Sequence, residues 1–267
     1  MSAPLPLSVA LVTLNEESHL PRCLERIRPL AAEIVIVDSG STDGTAEVAR
    51  SYGARFEVLP WRGFIGQKQE AWRRCTQPWV LNLDADEVLT PELTASMQAA
   101  FADGDPRVDG FWLNRRTFYL GDWIWHAWYP DWILRLARRE AAQWGGLDPH
   151  ARLEVAGPTA RLQGDLLHYS FKDLADHLHR TLRYARVMAR SQAAGGRPFR
   201  WRRLWLSPGA ALIKQLVFKQ GFRDGWRGWL IAGVAAVGTF AKYAFLLEAE
   251  RSAPHKKGTA TGKARPE

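Results

Sequence analysis

Cysteine is scarce: Cys23 and Cys75 are the only two in 267 residues. Two thiols so far apart make neither a disulfide framework nor a thiolate metal site, and they suit a reducing compartment. The glycine-rich phosphate signatures are missing as well. No Gly-x-Gly-x-x-Gly and no P-loop run occurs, so neither a dinucleotide fingerprint nor a Walker motif is supported. The amino terminus, MSAPLPLSVALVTLNEE, has no basic n-region and only a short apolar run, which reads as a first strand rather than a signal peptide. Acids nearly vanish between 180 and 227. Twelve Lys or Arg there face one acid, Asp224, so the segment carries +11 in a chain whose total is +8. A block of this sign attracts an anionic surface, either acidic lipid or nucleic acid. No internal repeat is visible.

What is present is ample apolar material. Hydrophobic residues make up 46% of the chain, enough for one large α/β domain with an appendage or for two small domains. The first hundred residues alternate strand and helix patterns. Apolar runs at 7–14, 33–38, 55–60 and 78–83 have strand length, and helical patterns lie between them. Ser18 can cap a helix with Leu20, Leu24 and Ile27 on one face, and Thr90 can cap another with Pro91 at its first position. Continuous apolar strands alternating with helices imply a parallel sheet covered on both faces.

Ligands of such sheets sit beyond the carboxyl ends of the strands. Three polar clusters fall there: Thr13-Leu14-Asn15-Glu16, Asp38-Ser39-Gly40-Ser41 and Asp84-Ala85-Asp86-Glu87. The pair Asp84 and Asp86 can share one divalent cation, or divide between metal and ribose, because Mg2+ and Mn2+ favour oxygen ligands and bridge phosphates. A solvated acidic turn has the same composition. Asp38 can accept from a nucleobase or ribose, or can simply hold its turn. His150 and His168 are candidates for acid–base work or ligation, although a lone histidine is more often structural. Trp123, Trp125, Trp128 and Trp132 suit either a core or a sugar-stacking wall.

The region 107–168 is rich in Trp and Gly with weak helical periodicity, so short strands and loops are expected. HYSFKDLADHL then opens a helix, with Ser170 and Asp173 as a capping pair and Leu174, Leu178, Leu182 and Ala185 on one face. Residues 228–247 are apolar with one charge, Lys242. That length approaches a membrane span. Three glycines, the interior Lys and flanking Trp201, Trp205, Trp226 and Trp229 favour a helix lying in the interface. The polar tail 253–267 is expected to be disordered.

The segments VALVTLNEESHLPRCLERI, EIVIVDSGSTDGTAEVARSYGA, WVLNLDADEVLTPEL and WYPDWILRLARR together resemble the inverting family 2 glycosyltransferases. Within that family they look most like the lipopolysaccharide core β-1,4-glucosyltransferase branch. The resemblance runs from about residue 7 to residue 250. It implies the GT-A fold, a Rossmann-like, mostly parallel central sheet with flanking helices, here with a helical C-terminal extension. On that basis 1–168 is the transferase domain and 169–252 a basic, apolar, membrane-associated helical region.

The resemblance also implies a UDP-sugar donor and a divalent cation, Mg2+ or Mn2+. Thr13, Asn15 and Glu16 match the first donor loop, Asp38 with Ser41 the nucleoside-contacting turn, and Asp84 and Asp86 the metal pair, with Asp86 the direct ligand. Asp131 falls where the family places its catalytic base, with Asp122 in reserve, and Arg135 is expected to face the diphosphate. Trp125, Trp128 and His150 are acceptor candidates. One departure is that Pro149-His150-Ala151 stands where relatives often carry Val-His-Glu, so that either Glu154 substitutes for that Glu or its role is lost.

The expected acceptor is a lipid-linked oligosaccharide, a lipopolysaccharide inner-core heptose receiving glucose, on the cytoplasmic face of the inner membrane. No nucleic-acid partner is expected. A polyprenyl-phosphate sugar transferase, or another family 2 transferase of cell-envelope glycans, is the competing enzyme, and a basic lipid- or nucleic-acid-binding module the competing non-enzyme. A sugar-phosphate nucleotidyltransferase would carry a glycine-rich basic loop after its first strand, where this chain has the acidic TLNEES.

Overall fold

The computed structural model describes residues 4–147 and 150–252, with 147 and 150 described in backbone only. The tail expectation for 253–267 and the Pro149 position lie outside the described residues.

The chain begins with β1 (Leu5–Thr13), α1 (Leu20–Ile27), β2 (Ala31–Asp38), α2 (Thr45–Ser51), β3 (Arg55–Val58), α3 (Gly63–Arg73) and β4 (Trp79–Asp84). These strands lie in the order β3-β2-β1-β4 and are all parallel. Leu7, Val9, Ala10 and Leu11 of β1 are fully buried, as continuous apolar strands covered on both faces require. One cluster packs α1 against the sheet through Leu20, Cys23, Leu24 and Ile27. The other face is covered by Ala71, Trp72 and Cys75, at the end of α3 and just beyond it.

The chain continues through β5 (Glu87–Leu89), α4 (Pro91–Ala100), β6 (Gly110–Tyr119), β7 (Asp122–Trp123), β8 (Asp131–Arg138), β9 (Ala142–Leu147), β10 (His150–Val155) and β11 (Thr159–His168). β6 and β11 each run ten residues, longer than the short strands expected. They extend the sheet as β4-β8-β6-β11-β5, with β8 antiparallel to both β4 and β6, and β5 antiparallel to β11. The expected fold is met, with a parallel half and a mixed half. β9 and β10 form a separate hairpin packed through Trp144 and Leu153 onto the α3 side.

This topology brings the site to one edge. Thr13 pairs with Asp38, and Val12 with Asp84, so three parallel strands end level. Antiparallel β8 and β5 begin where those strands finish. Asp131 pairs with Arg115 and Glu87 with His168, so strand starts and strand ends meet at one crevice.

The helical region is α5 (Leu174–Ala194), α6 (Trp201–Ile213), a π-helical turn (Lys214–Phe218), a 3-10 turn (Gly221–Asp224) and α7 (Gly225–Ser252). α7 is long and apolar enough to cross a membrane, but about 33% of its most apolar window is buried inside the protein. Its packed face carries Ile231, Ala232, Val234 and Leu246, while Trp226, Trp229, Val237 and Phe240 are exposed.

Two helix starts and one helix face differ from expectation. Thr90 caps α4 by accepting from Leu93 N–H, as predicted. Ser18 does not cap α1, whose first turn is instead closed by Glu16 C=O accepting from His19 and Leu20 N–H. Asp173, not Ser170, caps α5, accepting from Asp176 N–H. The buried face of α5 is His177, Ala185 and Ala189, whereas Leu182 is exposed. Small side chains there let α7 approach, with Gly238 set close against Thr181.

Candidate active site

Two loops close the parallel half of the crevice. The Asp38 carboxylate is fully buried and accepts four hydrogen bonds: from Gly40 N–H (2.8 Å) and Ser41 N–H (2.7 Å) on Oδ1, and from Thr13 Oγ1 (2.7 Å) and Ser41 Oγ (2.6 Å) on Oδ2. The turn needs φ +101° at position 40, a conformation open to Gly40 for want of a Cβ. Asn15, itself at φ +56°, accepts from Thr42 N–H at 2.8 Å and donates its own N–H to Ser41 Oγ at 2.7 Å. Glu16 N–H donates to Thr45 Oγ1. The two loops are thus zipped together, and the turn-holding role of Asp38 is realised. Burial lifts the Glu16 carboxyl above its ordinary range, outweighing the opposing bond to His19.

The second cluster is a chain of alternating charge. Asp84 Oδ1 pairs with Lys68 Nζ at 2.6 Å and its Oδ2 with Arg135 Nη2 at 2.8 Å. Arg135 also reaches Glu87 Oε1 at 3.0 Å and Asn82 Oδ1 at 2.9 Å. Glu87 is fully buried, receives Asp84 N–H on its Oε2 at 3.0 Å, and faces Arg115 Nη1 at 3.5 Å. Arg115 then grips Asp131 Oδ2 through Nε (2.9 Å) and Nη2 (2.8 Å). Burial pushes the Asp84 carboxyl up, but Lys68 and Arg135 more than reverse this and hold it well below the usual carboxylate range. Burial pulls the Lys68 ammonium down.

Each expected residue has a definite place. Asp86 Oδ2 faces His168 Nε2 at 3.5 Å, with side chains 19% and 13% exposed. Burial raises the Asp86 carboxyl, and His168 brings it net below its ordinary range. Asp131 is 38% exposed at the start of β8; its N–H donates to Asn114 Oδ1, and its own Oδ1 receives no hydrogen bond among the described residues. Asp122 is not joined to this chain of charge. It is 60% exposed, caps Trp123 N–H and lies 3.5 Å from Arg227. Arg135 is buried behind Asp84, its charge shared among three acceptors, and not open at the front of the crevice. Trp125 is exposed under the Arg116 guanidinium, whereas Trp128 packs with Tyr119, Phe171 and His177. His150 lies on β10, and Glu154 on the same strand pairs with Arg152.

Lys68, Arg115, Asn114 and the central part played by Glu87 escaped the sequence reading. Asn82 carried a signal: a polar residue inside the apolar run WVLNLD, buried and donating to Ala10 C=O. Lys68 and Arg115 gave none, because one more cation on a helix or strand looks like any solvated charge.

A family model described as Glycosyl transferase family 2 matches residues 8–153. The chain belongs to that family. As a family 2 glycosyltransferase it is 35% identical over 262 residues to the lipopolysaccharide core biosynthesis glycosyltransferase LpsC of Rhizobium meliloti (strain 1021), covering 94% of this chain and 93% of that protein. It is 26% identical over 253 residues to an uncharacterized glycosyltransferase of Rickettsia typhi, covering 91% and 87%. Among solved structures, S. aureus TarS 1-349 aligns over 92% of each chain at 13% identity and a TM-score of 0.48. Glucosyl-3-phosphoglycerate synthase from Mycobacterium tuberculosis with Mn2+, UDP and glucosyl-3-phosphoglycerate aligns over 72% of this chain and 80% of its own, at 19% identity and a TM-score of 0.43. The similarity to LpsC extends past the matched family region into α5–α7, so the family 2 transferase carries its helical end as part of the related chain.

Proposed function

We propose that this transferase moves a hexose, glucose by preference, from a UDP-sugar to a heptose of the lipopolysaccharide inner core, with inversion. The supporting observation is the unbroken run Lys68–Asp84–Arg135–Glu87–Arg115–Asp131, which links the acids ending β4 to the carboxylate opening β8. Asp131 is the base. Arg115 grips only its Oδ2, which leaves Oδ1 turned out to take the proton of an acceptor hydroxyl. Attack from that side, with the diphosphate departing on the other, inverts the anomeric carbon. The zipped loops of Asn15, Glu16, Asp38 and Ser41 supply the nucleoside wall.

Asp86 and His168 would hold the divalent cation, with no third His, Cys, Asp or Glu grouped beside them among the described residues, so the diphosphate and water would supply its other ligands. One oxygen and one nitrogen face each other there at 3.5 Å, too far for a strong hydrogen bond, and both reach solvent. Asp84 has both oxygens engaged by cations, so its part is to hold Lys68 and Arg135 in place. Mg2+ or Mn2+ bound there would neutralise the charge that builds on the leaving diphosphate.

The membrane reading draws on the other end. Trp201, Trp205, Leu206, Phe218, Trp226 and Trp229 are exposed beside a run of cations, the composition of an interfacial anchor. Residues 169–252 would then lie on the cytoplasmic face of the inner membrane, beside a lipid-linked anionic acceptor, with 1–168 carrying the chemistry. A transfer screen tests the whole: several UDP-sugars with Mn2+ or Mg2+, against truncated inner-core acceptors and a polyprenyl phosphate. Transfer to the core acceptors is expected. Transfer to the polyprenyl phosphate alone would replace the acceptor, and donor use by neither would sink the reading.

A further inference from the structure

The single acid of the basic segment is spent on the catalytic half. Asp224 has a side chain only 3% exposed. Its Oδ1 accepts from Trp125 N–H (3.0 Å) and lies 2.9 Å from His126 Nδ1, and its Oδ2 accepts from His126 N–H (3.2 Å) and Ala127 N–H (2.7 Å). One carboxylate thus holds three consecutive backbone amides that lie 97 to 99 positions earlier in the chain. The surroundings reinforce the grip. Arg227 Nε donates to Leu120 C=O at 3.0 Å, and Ile124 and Ala127 are buried against Ile231 of α7. Gly228 lets the start of α7 press onto the turn that carries Asp224, since a Cβ there would fall 1.7 Å from Gly221 C=O.

The captured loop leads straight to the base. Trp125 stands edge-on to Tyr129, with ring centroids 5.7 Å apart. Tyr129 Oη donates to Asp165 Oδ1 at 3.1 Å, and the same oxygen accepts from Asn114 Nδ2 at 3.2 Å. Asn114 Oδ1 in turn accepts the N–H of Asp131 at 3.0 Å. From Asp224 to Asp131 the path is continuous: three anchored amides, one ring contact and three hydrogen bonds. Three residues separate Ala127 from Asp131, so a loop that slackens at 125–127 shifts the strand start that aims the base.

We propose that Asp224 is a positioning residue for Asp131, so that the helical C-terminal region, which contributes no group to the reacting atoms, sets the turnover of the transferase. This rests on the reading of Asp131 as base. It gives the lone acid in a cationic block a reason to be there: an anionic membrane is served by the twelve cations, and the active site by the one carboxylate.

The test uses the full chain with Asp224→Asn and Asp224→Ala, each alone and combined with Asp131→Asn. Hydrogen exchange at 125–127, UDP affinity, melting temperature, and kcat and KM with a UDP-sugar and a truncated core acceptor are measured. In Asp224→Asn, which keeps the shape of the side chain, exchange at 125–127 should rise, UDP affinity should hold, and kcat should fall roughly 10- to 100-fold through misplacement of the base. In the Asp131→Asn background the same change should cost almost nothing, because the group it positions is already gone. Equal losses in both backgrounds, or a full kcat with fast-exchanging amides, would overturn the inference. If Asp224→Ala does not fold, the Asn variant carries the test alone. A wild-type chain that transfers to no acceptor overturns the proposed function and this inference together. A fully active Asp224→Asn overturns this inference only.

Discussion

The crevice and the helical end handle charge in opposite ways. At the strand ends Glu87 and Arg135 are buried, Asp84 is 33% exposed, and the three are paired with one another. In 180–227 twelve cations meet acids only at Arg180–Asp176 and Arg227–Asp122 among the described residues, and Arg200, Arg202 and Arg203 are exposed. Buried paired charge fixes geometry at a cost in desolvation, and removing one partner strands the other. Exposed unpaired charge fixes nothing but reaches out over a Debye length toward an anionic surface. One chain therefore keeps its precise electrostatics in the sheet and its long-range electrostatics in the helices, and Asp224 is where the two meet.

The sharpest way to break this contrast is Asp131→Asn. Losing the proposed base should lower kcat by about 10²–10⁴-fold while donor binding holds, as read by steady-state kinetics and UDP calorimetry. Full turnover, together with an inactive Asp122→Asn, would move the base to Asp122. Next comes the buried hub. Glu87→Ala leaves Arg135 with Asp84 and Arg115 with Asp131 but takes from both the buried carboxylate they share, and should cost about 1–3 kcal/mol in denaturant unfolding. A small cost would mean that water already serves these guanidinium groups.

The third measurement is pH-dependent and concerns the seam between the halves. His177 is buried among Tyr119, Trp128 and Phe171, and burial lowers its pKa from 6.5 to about 4. A depressed value means that the folded state prefers the neutral ring. Its stabilising share is therefore complete above pH 6.5 and is lost as pH falls toward about 4. Melting temperature should drop through that window, and His177→Gln should flatten the drop. The carboxyls of Asp84 and Asp86 act further down, being lost only as pH falls below their ordinary 3.8.

The smallest effect belongs to the exposed cations. Arg202→Ala and Arg203→Ala should each weaken binding to anionic vesicles by about 1 kcal/mol, an effect that salt erases. Vesicle flotation at two ionic strengths measures it, and the melting temperature should not move.

Legibility followed the range of the interaction. The strand ends Thr13, Asp38 and Asp84 could be read because a buried parallel strand is a continuous apolar run, and its polar stop is local in sequence. Thr90 and Pro91 were legible for the same reason. The starts of β5 and β8 were harder. A residue on an antiparallel strand has no local mark of which crevice it enters, so Glu87 stood only as one more acid of its cluster and Arg135 was expected to face the diphosphate. On α5 the expected Ala185 is buried and Leu174 and Leu178 are half-buried, but Leu182 is exposed while His177 and Ala189 are buried, because periodicity ranks side chains by hydrophobicity and does not show where α7 approaches.

From sequence alone came the family, the α/β order, the acids that end β4 and the cationic, Trp-flanked end, since each is carried by neighbours in the chain or by composition. Only the tertiary structure decided which charges cancel. Lys68, Asp84, Arg135, Glu87, Arg115 and Asp131 come from five separate elements, and no pattern along the chain announces that they touch. The same holds for Asp224 and Trp125. An ion pair depends on separation in space to a fraction of a helical turn, and that distance exists only once the strands have set their order and register.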